Sequence, residues 1–154
     1  MRLPGVIALT LLALSFASCS RPSSTERFIL ADDAVDGKYS FTLDMADSLV
    51  SYDIWLYTRI DSRRTSMSIL ENIPVSLTWT SPSGDYYGEK VFFPASGFEG
   101  KGMSFFSRQI KTLYRSDVVP RERGEWTLDV EAGEGINGFR GMGVILERKE
   151  DGTR

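Results

Sequence analysis

Histidine is absent from this chain, and cysteine occurs once, at Cys19. The missing imidazoles remove the commonest general base, the commonest zinc ligand and the usual pH switch. A lone cysteine leaves no internal disulfide, and without histidine no Ser-His or Cys-His pair can perform acyl transfer. Neither sign of charge dominates: 18 Lys and Arg stand against 21 Asp and Glu, for a net charge of −3. That balance argues against a nucleic-acid partner and against strong electrostatic attraction to anionic lipid. After Cys19 no apolar run is long enough to span a bilayer. The acids of Asp32-Asp33-Ala34-Val35-Asp36-Gly37 are adjacent rather than alternating and lack a closing Glu, so the segment reads as a solvated turn, not a calcium loop. No cofactor and no metal is expected.

What is present begins with Met1-Arg2, an apolar stretch from Leu3 to Phe16, and Ala17-Ser18-Cys19. A short basic start, an apolar segment too short for a comfortable span and small residues before a cleavage point form a secretory signal. Cysteine at the new N-terminus makes it a lipobox, with Phe16 where Leu is commonest. The expectation is cleavage before Cys19 and a thioether-linked diacylglycerol on its sulfur. Each buried methylene adds about 0.8 kcal/mol, so such a protein is anchored to a membrane without crossing it. The organisation expected is a signal peptide over 1–18, a lipidated tether over 19–26, a single domain over 27–149 and a charged tail over 150–154. The first acid after Cys19 is Glu26, which favours a periplasm-facing position in the cell envelope over a surface-exposed one.

Beyond the tether the dominant period is two, the mark of half-buried strands. Tyr39, Phe41, Leu43 and Met45 share one face; so do Tyr52, Ile54, Leu56 and Ile60, and Ile73, Val75, Leu77 and Trp79. Pro82-Ser83-Gly84-Asp85 supplies turn chemistry before a returning strand over Tyr86 to Phe93, making Trp79 and Tyr86 neighbours across a hairpin. Residues 94–104 read as a loop. Phe105 to Tyr114 is assigned a short strand, although Arg108, Lys111 and Arg115 carry helical spacing. Trp126 to Glu131 alternates, as do Met142, Val144 and Leu146 against Gly143, Ile145 and Glu147. Short strands separated by turns, with no amphipathic helix, predict an all-β antiparallel β-sandwich, jelly-roll-like or immunoglobulin-like.

A carboxylate-only enzyme would need two acids facing one another. Asp44, Asp47, Asp53, Asp85, Glu89 and Asp129 lie on polar faces or in turns, so no enzyme is expected. Trp55 and Tyr57 sit two apart on the second face of their strand, beside Asp53 and Arg59. Exposed, they would form a platform for a glycan; covered, they would close a second layer of the fold or an interface. Trp79 and Trp126 continue apolar runs and are assigned to the core. Arg63 and Arg64, following Arg59, form a basic loop, and Arg121-Glu122-Arg123-Gly124-Glu125 a mixed-charge turn. Trp55, Tyr57, Arg59, Arg63 and Arg64 are therefore the candidate contacts for a ligand or partner.

The lipobox, then Tyr52-Asp53-Ile54-Trp55-Leu56-Tyr57-Thr58-Arg59, Ile73-Pro74-Val75-Ser76-Leu77-Thr78-Trp79, a Pro-Ser-Gly turn, Gly124-Glu125-Trp126-Thr127-Leu128-Asp129-Val130 and Gly138 to Leu146 occur in that order. As a set they resemble the gliding-motility lipoprotein GldH family of Bacteroidetes. The resemblance implies a membrane-tethered, non-enzymatic accessory protein that contacts other envelope proteins of gliding or secretion machinery. A carbohydrate-binding module using Trp55 and Tyr57 is the alternative.

Overall fold

A computed structural model describes residues 23–47, 49–61, 72–94 and 107–149. Eight strands occupy them: β1 (Ser24–Leu30), β2 (Lys38–Asp44), β3 (Ser51–Asp61), β4 (Asn72–Thr80), β5 (Tyr86–Pro94), β6 (Ser107–Val118), β7 (Glu125–Ala132) and β8 (Phe139–Lys149). A single 3-10 turn, Ala31–Asp33, is the only helical element among the described residues. It opens the acidic segment, which turns through Asp36 and Gly37 into β2 with Asp32, Asp33 and Asp36 exposed.

The strands form two four-stranded antiparallel sheets, β1-β8-β3-β6 and β2-β7-β4-β5, packed face to face. Strand 1 pairs with 8, 2 with 7, 3 with 6 and 4 with 5. This is a ribbon of four antiparallel pairs wrapped into two layers, which selects the jelly-roll wrap over the immunoglobulin-like one. Alternation dictates the core. Tyr39, Phe41 and Leu43 of β2, Ile73, Val75 and Leu77 of β4, and Leu128 and Val130 of β7 meet Ile54, Leu56 and Ile60 of β3 and Met142, Val144 and Leu146 of β8. With no disulfide available, burial of this set is the main source of stability.

Three expectations need correction. The tether was extended to Glu26, but β1 begins at Ser24 and pairs along its length with β8, so Ser24, Thr25 and Glu26 belong to the domain. Five of its seven residues are exposed, as suits an edge strand held by backbone pairing rather than by an apolar face. The hairpin partner of Trp79 is Tyr87, whereas Tyr86 pairs with Thr80 and points to the opposite face. Finally, β6 runs to Val118, beyond the expected end at Tyr114. Its pairing slips twice against β3, and those slips hid its period. Residues 1–22, 48, 62–71, 95–106 and 150–154, which include Cys19, Arg63 and Arg64, lie outside the described residues.

Candidate functional site

Of the two readings of the outer face of β3, covered layer or open platform, the structure shows the covered one at Tyr57. Tyr57 is fully buried. Phe28 of β1 stacks on its ring at 5.5 Å, and the Arg59 guanidinium lies over both rings, 4.7 Å from Phe28 and 5.8 Å from Tyr57. Beneath the ring is Gly143, where a Cβ would stand 2.2 Å from Tyr57 Cζ; only glycine leaves room. The Tyr57 hydroxyl is buried without a hydrogen-bond partner among the described residues. Burial first, and then the neighbouring Glu26 carboxylate, push its pKa above the ordinary phenol value. Trp55 is half-buried: the Lys111 ammonium covers its ring at 4.1 Å and its indole N–H donates to Glu147 at 2.9 Å. Tyr57 therefore cannot touch a ligand directly, Arg59 serves as its lid, and Trp55 presents a face already occupied by a cation.

Asp53, beside them, is also buried. Its carboxylate accepts the backbone N–H of Asp117 at 2.9 Å and pairs with the Lys149 ammonium at 2.9 Å, which also reaches Asp117. Burial by itself would raise the Asp53 pKa, but the amide and the ammonium outweigh it and hold the carboxyl below its ordinary value. Asp117 adopts a φ of 53°, an uncommon conformation for a non-glycine residue, at the second slip of β6.

The accessible aromatic site lies elsewhere, where the β5 and β6 edges of the two sheets part. Inward positions of β4 end on Trp79, and β7 begins its inward set at Trp126, so two indoles occupy the last layer of the core. They meet edge to face at 6.3 Å. From the other sheet comes Tyr114. Between Trp55↔Leu113 and Ile54↔Arg115 the pairing advances one residue on β3 and two on β6, so Tyr114 is the extra residue of a β-bulge. It stacks on Trp79 with ring centroids 6.3 Å apart and 12° between planes. Its hydroxyl accepts the Trp79 indole N–H at 2.9 Å and donates to Glu89 of β5. Arg115, next to the bulge, closes the set by donating to both Glu89 oxygens at 2.9 Å. Burial and the adjacent carboxylate raise the Tyr114 pKa, and hydrogen bonds to Glu89 and Tyr114 hold Arg115 protonated.

Around this bridge is a cleft of about 540 Å³, floored by Met45 and Ile54 and rimmed by Tyr87 and Val119, which are 49% and 60% exposed. Its rim is braced by the turn after β6, where Glu122 accepts from the Ser83 backbone N–H at 3.0 Å and the Ser83 hydroxyl at 2.9 Å, and its carbonyl accepts the Trp126 indole N–H. The mixed-charge turn thus has a structural contact that its composition did not announce. No family model matches this chain, and no curated protein is significantly similar to it.

Chemically, the cleft offers flat apolar faces beside a carboxylate–guanidinium pair. That is equipment for binding. Among the described residues no cluster of Asp, Glu or Cys is placed to hold a metal ion. Of the sequence candidates, Tyr57 and Arg59 come together, but in a stack that Phe28 seals, while Trp55 stands apart under Lys111. Alternation alone places Trp79 and Trp126 in the core and Glu89 on a polar face, and it does not mark Tyr87, Tyr114 or Arg115 as a site. One sequence signal pointed to them: Glu89 alternates with Tyr87, Val91 and Phe93, which places a carboxylate among the inward residues of an edge strand.

Proposed function

We propose that this protein is a non-enzymatic lipoprotein, held on the cell envelope through a lipid on Cys19, whose β-sandwich binds another envelope protein through the cleft between β5 and β6. The observation that carries the reading is the aromatic and charged lining of that cleft, with Tyr87 exposed at its rim beside the Glu89–Arg115 pair. Aromatic residues and arginine are the side chains most enriched where binding energy concentrates. The absence of histidine and the position of the one cysteine in a lipobox support binding over catalysis. The ordered segments shared with the GldH family support a place among gliding-motility or secretion-associated envelope components, facing the periplasm.

The test is a photo-crosslinking residue at position 87 of the full-length protein in its native envelope. A discrete adduct with one envelope protein, lost when Arg115→Glu reverses the charge at the cleft, is the expected result. Crosslinks at background level, or adducts indifferent to Arg115→Glu, refute the assignment of the cleft.

A second reading is favoured by one observation: a stacked indole–phenol pair adjoining a carboxylate and a guanidinium also matches what a sugar ring requires of a protein surface. In that case soluble oligosaccharides change the fluorescence of Trp79 and Trp126 saturably, and Tyr87→Ala abolishes the change. A saccharide response that survives Tyr87→Ala but disappears in Trp55→Ala would return the glycan site to β3.

A further inference from the structure

The end of the sandwich at which the described chain starts is identified by its pairing. Ser24 lies opposite Glu147, Ser51 opposite Lys149, Tyr52 opposite Val118, Asp44 opposite Glu125 and Thr80 opposite Tyr86. The start of β1, the β2–β3 connection, the β4–β5 hairpin and the turn after β6 therefore share one end. The cleft, with Val119 and Arg121 in its lining, belongs to the same end. Leu30, Lys38, Asp61 and Asn72 mark the other, since β3 with its 11 residues spans about 36 Å.

Cys19 precedes Ser23 by four residues, and four residues reach at most about 14 Å when fully extended. An acyl chain on Cys19 therefore keeps the Ser23 end close to the bilayer surface. That end carries apolar side chains the fold does not use: Leu49 is 82% exposed, Tyr86 76% and Val119 60%. Beside Val119, Arg121 and Arg123 are exposed and form no ion pair with any described residue. Of the acids at this end, Asp47 pairs with Arg148, and Asp53 and Asp117 share Lys149, while Asp44, Asp85 and Glu125 are exposed outside these pairs, so the apolar side chains rather than net charge carry the contact. Exposed aliphatic and tyrosine side chains next to uncommitted arginines suit the boundary between headgroups and acyl chains.

We propose that the Ser23 end of the sandwich lies on the membrane, with Leu49, Tyr86 and Val119 seated in the lipid interface and Arg121 and Arg123 at the headgroups. The proposal rests on the lipid anchor at Cys19. One acyl-bearing residue leaves a domain free to swivel; the added apolar contacts fix its orientation and hold the cleft next to the bilayer, within reach of the juxtamembrane part of a partner.

The experiment uses full-length protein in phosphatidylethanolamine–phosphatidylglycerol vesicles. Leu49→Cys, Val119→Cys and Val35→Cys are each labelled with an environment-sensitive dye, Cys19 being blocked by its lipid. Val35, 74% exposed at the far end, is the reference. All three sites are exposed, and matching thermal melts of the labelled variants verify that they fold. Quenchers carried on the acyl chains should reduce the signal at 49 and 119 about twofold or more and leave the label at 35 nearly unchanged. Equal, weak quenching at all three sites, in protein that floats with the vesicles and whose N-terminal peptide carries the diacylglyceryl mass, overturns the orientation and leaves the anchor intact. An N-terminal peptide without that mass, or a Cys19→Ser variant that still floats, overturns the anchor and the orientation with it.

Discussion

Two aromatic clusters in this molecule contain the same ingredients and end in opposite states. On the outer face of β3, Tyr57 is roofed by Phe28 and Arg59, and Trp55 by Lys111. Between the β5 and β6 edges, Trp79 and Tyr114 also stack, yet Tyr87 and Val119 stay exposed and a cleft remains. The difference lies in the neighbours. β3 is an interior strand, so β1, β6 and β8 all project side chains over its outer face. The β5 and β6 edges face each other across a gap that no further strand closes among the described residues. Accessibility here is a property of position in the sheet order rather than of residue type.

The contrast can be broken from the sealed side first. Tyr57→Ala empties a fully packed site and should cost about 3–5 kcal/mol in urea unfolding, the range for removing a large buried ring. Gly143→Ala forces a methyl into the same ring and should cost about 1–3 kcal/mol. Combined with Tyr57→Ala, its cost should largely vanish, because the two share one space; full additivity would show that the ring does not rest on Gly143.

Asp53→Ala should cost about 1–3 kcal/mol by leaving the Asp117 amide unpaired. The folded pKa of Asp53 lies below its ordinary 3.8, so folding favours the ionised form. Its contribution is complete above that value and is lost as the pH falls through the folded pKa. Acid titration of stability should accordingly be shallower below about pH 4 in Asp53→Asn than in the parent protein.

The smallest effects sharpen the comparison most. Tyr87→Ala, at the cleft rim, should shift stability by less than about 1 kcal/mol while removing partner binding. Tyr57→Phe deletes a buried hydroxyl with no hydrogen-bond partner among the described residues and should leave the thermal midpoint unchanged or raised. A clear loss in Tyr57→Phe would mean that the hydroxyl holds a bond to Glu26 after all.

Strands β2, β3, β4 and β7 were legible because each has one apolar face, and a side-chain period of two follows from the backbone pleat. β1 was not legible, since an edge strand bound through its main chain needs little side-chain signal; Ser24-Thr25-Glu26 resembles a linker in any one-dimensional reading. β6 was blurred by the bulge at Tyr114 and the second slip near Asp117, which shift the alternation along its length. That bulge is what turns Tyr114 toward Trp79. The feature that builds the cleft is thus the one that disguised its strand. Trp55 and Tyr57 drew attention because polar neighbours marked their face as outer, but a local pattern carries no information about the residues that Phe28 or Lys111 bring from far along the chain.

By itself, the sequence determined the β class, the inward face of most strands and the absence of histidine and disulfide chemistry, because these depend on residue identity and near-neighbour spacing. The tertiary structure alone decided that the first strand pairs with the last, that Tyr57 is sealed while Tyr87 is open, and that Glu89 meets Arg115 across two sheets. Those outcomes depend on which strands become neighbours. In a ribbon wrapped into two layers, neighbours come from opposite ends of the chain, and only the completed wrap brings them together.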